Sequence, residues 1–169
     1  MTQPARNSYD VVPYLDRSHY STHPDRMATI GRLLGLEPAP VEQARVLELG
    51  CANGANLLPM AANLPGSTFV GVDYSARQIA KGQAALAELG LTNMTLRHAS
   101  ILDVDAGLGQ FDYIIAHGVF SWVPPEVQDK IYALGMVPSH LGPAALRALL
   151  LDQYKRWEQP VKASGFKPE

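Results

Sequence analysis

With a single cysteine, Cys51, in 169 residues, the chain cannot form an internal disulfide; its fold rests on a packed core and suits a reducing compartment. Long apolar runs are missing as well. No stretch approaches the roughly 20 uninterrupted apolar residues of a membrane span. Met1 to Tyr9 holds no apolar centre of a secretory signal. No membrane partner is expected, and the expected location is cytoplasmic. An excess of one charge is also lacking. At a net charge of −2 there is no basic footprint for nucleic acid. Arg147, Lys155, Arg156, Lys162 and Lys167 make the C-terminal end locally basic and read as a solvated helix face and tail. Internal repeats and low-complexity tracts are absent, and no metal is expected.

What is present suffices for one globular domain: 47% of the residues are hydrophobic, and charges of both signs are nearly balanced. Residues 1–21 are polar and dotted with aromatics, and read as an irregular N-terminal arm. Thr22 is placed to cap a helix with Pro24 in its first turn. Met27, Ile30, Leu33 and Leu34 repeat at helical spacing, and Gly35 is a stop. Arg45 to Leu49 has strand length and ends in glycine. A helix is expected from near Gly54 to about Asn63, although Pro59 requires a start close to Ala55 or Asn56. Thr68 to Val72 is β-branched and reads as a second strand.

Ser75 and Gln78 have capping-box spacing before a helix that stops at Gly90. Met94 to His98 and Phe111 to Ala116 read as further strands. Pro124-Pro125 introduces a helix through about Leu134, and Ala144 to Trp157 is strongly helical. Strand and helix therefore alternate from residue 45 to 116, which predicts an α/β fold with a parallel sheet. Ligands of such sheets sit beyond the carboxyl ends of the strands.

The strongest chemical signal is Val46-Leu-Glu-Leu-Gly-Cys-Ala-Asn-Gly54. A strand runs into a turn of small residues, and the turn into a helix. Gly50 and Gly54 let backbone approach a ligand closely. The helix start offers N–H groups and a positive dipole. Glu48, two residues before the first glycine, would repel a pyrophosphate but suits a ligand bearing an ammonium and a sulfonium. Asp73 ends the second strand roughly 20 residues after the turn, where an acid accepts hydrogen bonds from ribose hydroxyls; the alternative is a turn-capping role. Tyr74 either flanks an adenine ring or is a surface aromatic. A nicotinamide oxidoreductase is disfavoured because Ala52 and Ala55 break its Gly-x-Gly-x-x-Gly pattern.

Glu-Leu-Gly-Cys-Ala-Asn-Gly followed by Val72-Asp-Tyr-Ser-Ala-Arg-Gln-Ile79 resembles the first two cofactor motifs of class I (Rossmann-like) S-adenosylmethionine-dependent methyltransferases. Ser8-Tyr-Asp with Pro13-Tyr14, Thr22-His-Pro-Asp-Arg26 and Phe111 to Pro124 look like a bacterial branch of that family. Its members carry a methyltransferase regulatory domain and include protein lysine methyltransferases. The resemblance covers about residues 8 to 131. It implies S-adenosyl-L-methionine as cofactor and a methyl acceptor that is a protein, through lysine, or a small molecule.

It further implies that Glu48 and the backbone of Gly50, Cys51, Ala52, Asn53 and Gly54 hold the methionine part. Asp73 would bind ribose, and Ser100 and Ile101 would meet adenine, with Ser100 standing where many relatives have an acid. Ala116, His117 and Gly118 would border the methyl group, while Tyr14 and His23 would fold over the pocket from the N-terminal arm. His117 is the candidate catalytic residue, either as an acid–base group or as a structural histidine. Phe120 and Trp122 either line the acceptor pocket or belong to the core.

The resemblance stops near Tyr132. The expected architecture is an N-terminal arm (1–21), a Rossmann-like cofactor domain of about four strands (22–134) and a helical extension (135–169). Without the later strands of the full fold, the fourth strand would expose an apolar edge, through which a second copy could pair. Missing strands also make a non-catalytic cofactor-binding remnant or regulatory module the alternative function.

Overall fold

The computed structural model describes residues 17–135 and, beyond them, 147–148, 151–152, 155–156, 158–159 and 162. Two compact units divide the chain at Leu134 and Gly135. In the first unit the elements run α1 (Pro24–Leu33), β1 (Arg45–Leu49), α2 (Leu57–Asn63), β2 (Thr68–Asp73), α3 (Ala76–Leu89), β3 (Met94–His98), β4 (Tyr113–Ile115) and α4 (Pro125–Ala133), with short 3-10 turns between them. The sheet has four strands among the described residues, in the order β3-β2-β1-β4, and every pairing is parallel. It is the Rossmann-like sheet expected from the alternation of strand and helix.

The register explains why β1 is the hub. Val46 lies between Phe69 and Tyr113, and Glu48 between Gly71 and Ile115. Covered on both sides, Val46, Leu47 and Leu49 are almost completely buried, as the apolar run of a doubly covered parallel strand requires. The chain winds from β1 outward to β3 and then returns to the opposite flank of β1 as β4. That reversal opens a crevice at the carboxyl ends of β1 and β4, the place where open α/β sheets take ligands.

Several local expectations are corrected. α1 is capped by His23, whose Nδ1 accepts the N–H of Asp25 at 3.2 Å, and Thr22 bonds elsewhere. The buried face of α1 consists of the small residues Pro24, Ala28 and Gly31, while Ile30, Leu33 and Leu34 are exposed. Helical periodicity located the element but not the face, because small side chains let this helix approach its neighbours closely. α2 starts at Leu57, later than the glycine turn suggested, which puts Pro59 in the first turn where no intrahelical N–H is missed.

Ser75 caps α3 by accepting the Gln78 N–H, but the N–H of Ser75 itself goes to Asp73 Oδ1 at 2.8 Å. β4 is shorter than the run from Phe111 to Ala116. Trp122 is exposed, and Phe120 packs edge-on against Tyr132.

In the second unit the described residues are helical, and Asp152–Arg156 and Glu158–Lys162 pair at 3.1 and 2.9 Å across one helical turn. Beyond the expected limit at Trp157, residues 158–159 and 162 are helical. No helix among the described residues is long and apolar enough to cross a membrane.

Candidate functional site

The turn after β1 is built around positive backbone angles. Gly50 and Gly54 adopt φ of 70° and 78°, and Ala52, alone among the described non-glycine residues, φ of 49°. In this shape the N–H groups of Gly50 and Cys51 both donate to Val72 O, that of Ala52 to Asp73 Oδ2, and that of Gly54 to Cys51 O. The first three of these donors hold the turn against the end of β2, and the fourth closes the turn on itself. Close approach at the glycines is likewise to protein. A Cβ on Gly50 would lie 2.3 Å from Val119 Cγ2, and one on Gly54 2.6 Å from the Met94 methyl. Cys51 turns its buried side chain toward Gly71, and burial pushes its thiol well above the usual range, with Glu48 and Asp73 adding to the shift. Asn53 is buried, its Oδ1 accepting the N–H of Ala55.

Glu48 stands apart chemically. Its side chain is 4% exposed, Oε1 accepts from Asn56 Nδ2 at 2.7 Å, and Oε2 is buried with no partner. Burial pushes its carboxyl from 4.5 to about 7; the Asn56 bond opposes that rise and the charge of Asp73 adds to it. A buried carboxylate oxygen without a donor is costly and is the feature expected of a group waiting for a cation.

Asp73 is half-buried and splits its carboxylate between the turn and the start of α3, accepting from Ala52 and Ser75 at 2.8 Å each. It thus serves as the turn-capping residue, and each oxygen keeps a second lone pair. Beyond it, exposed Tyr74 lies 6.3 Å from the His98 ring. Ser100 caps a 3-10 turn, Ile101–Asp103, through its hydroxyl and through the bond from its N–H to Asp103. Ile101 is buried.

On the β4 side, an open recess of about 160 Å³ is lined by Ser21, Thr22, Met27, Ile114, Ile115, Ala116 and His117. His117 and His19 place their ring centroids 3.9 Å apart. Partial burial, then the neighbouring His19, holds the His117 imidazole below its ordinary value. Thr22 connects this recess to Glu48 through Asn56. The fold therefore brings together Glu48, the turn and Asp73 at the ends of β1 and β2, with Ala116 and His117 beside them after β4. His23 is occupied as a helix cap and is not among the recess residues. Tyr14 lies outside the described residues. Sequence reasoning missed His19, Asn56 and Val119. Asn56 was visible only as a polar residue eight positions after Glu48.

Similarity to known proteins identifies the family. The family described as a methyltransferase domain matches residues 47–146. An uncharacterized protein of Rickettsia prowazekii is 48% identical over 124 residues, covering 73% of this chain and 50% of its own length. Trans-aconitate 2-methyltransferase of Deinococcus radiodurans is 28% identical over 106 residues, covering 63% of this chain and 37% of that protein. Among solved structures, PKMT2 from Rickettsia typhi in complex with AdoHcy superimposes with a TM-score of 0.68 at 46% identity, over 70% of this chain and 23% of that one. The chain spans about half the length of the Rickettsia prowazekii relative, and less of the other two.

Proposed function

Because the chain belongs to the methyltransferase-domain family, matched across residues 47–146, we propose that it binds S-adenosyl-L-methionine at the carboxyl ends of β1, β2 and β4 and transfers the methyl group to an acceptor amine. The observation that carries this reading is the unpartnered, buried Oε2 of Glu48, which an ammonium group satisfies with a charge-assisted hydrogen bond. When bound, the cofactor supplies an electrophilic methyl group on a cationic sulfur. The donor set fits that ligand. Glu48 takes the ammonium, and the turn Gly50–Gly54 backs the methionine part. Asp73 accepts ribose hydroxyls on the lone pairs left by Ala52 and Ser75, and Tyr74, Ser100 and Ile101 border the adenine. The recess of about 160 Å³ on the β4 side is lined by Ala116 and His117 and by none of Glu48, Gly50 or Asp73, so it forms the acceptor side of the site.

Methyl transfer needs the acceptor in line with the methyl–sulfur bond, so the chain's contribution is positioning. For the acceptor we adopt the protein lysine implied by the sequence resemblance. Two features support it: the recess beside Ala116 and His117 is open, and His117 is held toward its neutral form. A neutral imidazole there accepts the proton that a lysine ammonium must lose before its nitrogen attacks. The test pairs equilibrium dialysis against methyl-labelled S-adenosylmethionine with transfer of the label to lysine-containing proteins. Binding and label on lysine are expected, and no binding refutes the reading. Because the chain spans only part of its relatives' length, binding without transfer would select the alternative of a cofactor-binding module.

A further inference from the structure

We propose that Asn56 is a positioning residue of this site, turning Oε2 of Glu48 toward the ligand's ammonium and tying residues 19–22 to the same carboxylate. The inference rests on the cofactor reading above. Asn56 is 5% exposed and its amide is fully engaged. Nδ2 donates to Glu48 Oε1 at 2.7 Å and to Thr22 Oγ1 at 3.0 Å, while Oδ1 accepts the N–H of His19 at 2.7 Å.

The orientation of that amide is dictated by its partners. The backbone N–H of His19 can only donate, so the atom facing it is the amide oxygen, and both amide protons point to Thr22 and Glu48. Thr22 spends its own hydroxyl proton on His19 O at 2.8 Å, which leaves its oxygen to accept from Asn56. Oε1 of Glu48 is therefore an acceptor in either protonation state. The carboxyl's proton resides on Oε2, the one atom left for a ligand.

Ligand binding is then linked to a proton. An ammonium at Oε2 requires the ionised carboxylate, so the carboxyl proton leaves to solvent as the ligand arrives. The titratable groups about Glu48 are Asp73 at the end of β2 and Cys51 in the turn. From residues 19–22, Asn56 receives a backbone N–H and offers a proton to a neutral hydroxyl. With Asp73 disfavouring ionisation, the Asn56 bond is the interaction that favours it, and its loss moves the midpoint upward.

The experiment is calorimetric titration of the full chain with S-adenosylhomocysteine from about pH 6 to about pH 8.5. Wild type is expected to lose affinity tenfold per pH unit below a midpoint near 7 and to level off above it. Asn56→Ala moves that midpoint upward by roughly one unit, and Asn56→Asp, the same shape with a like charge, moves it further. Glu48→Gln abolishes the dependence. An Asn56→Ala protein with the wild-type midpoint overturns the proposal while leaving cofactor binding intact. Failure of the wild type to bind at any pH refutes the cofactor reading instead. Should neither Asn56 variant fold, pH-independent binding by the wild type overturns the proposal on its own.

Discussion

Glu48 stabilises the folded chain least when it is ionised, because its carboxylate is buried and half unpartnered. Its carboxyl is raised from 4.5 to about 7 by burial. Between those values the folded protein keeps a proton that the unfolded chain has released. The associated stability is fully present below the unfolded value and is lost as pH rises through the folded one, a change on the order of 3 kcal/mol. Glu48→Gln should therefore melt above the wild type at about pH 8, with the gap closing near pH 5. Thermal unfolding at the two pH values checks this, and equal gaps contradict it. Gly50 shows strain of another kind. Its φ of 70° and the 2.3 Å approach of Val119 both oppose a side chain, so Gly50→Ala should cost about 1–3 kcal/mol. Adding Val119→Ala should recover the collision but not the backbone share, and a double-mutant cycle by urea unfolding reads the coupling.

Among the elements, α3 contains one glycine, Gly82, and ends on another, its C-cap Gly90, and their replacement should act for opposite reasons. Gly82 lies inside the helix, where alanine normally adds up to about 1 kcal/mol of stability. Here its Cβ would fall 2.3 Å from Asn53 O in the cofactor turn, so Gly82→Ala should destabilise the fold and weaken S-adenosylhomocysteine binding together. Gly90, at φ of 64° with open space around it, should lose about 1 kcal/mol as alanine with affinity unchanged. Paired unfolding and binding titrations separate the two cases.

The sequence states β1 and β3 to the residue, because β1 is an apolar run ended by Gly50 and β3 opens after Asn93 with apolar Met94 and Leu96 alternating with polar residues. It states the existence of α1 but not its buried face, since Ala28 and Gly31 carry no apolar periodicity that stands out beside leucine and isoleucine. The late start of α2 follows from a turn that closes its own N–H groups on Val72 and Asp73. Those partners lie roughly 20 positions ahead and become neighbours only once β1 and β2 pair.

At the scale of the whole molecule, the return of the chain from β3 to β4 creates the crevice in which Glu48, Asp73 and His117 gather. Glu48, next to last in β1, and Asp73, last in β2, were legible as candidates from their motif spacing. Asn56 was not, because its partners His19, Thr22 and Glu48 come from separate parts of the chain. β4 pairs on one side only among the described residues. In the proposed function, the buried Oε2 of Glu48 is the atom expected to select an ammonium-bearing nucleoside. The most direct measurement of that selection compares the affinity of the wild type and Glu48→Gln for S-adenosylhomocysteine and for the analogue lacking its amino group. The account predicts that the wild type prefers the amino compound by about 10- to 100-fold and that the variant loses the preference; a wild type that binds both equally would contradict it.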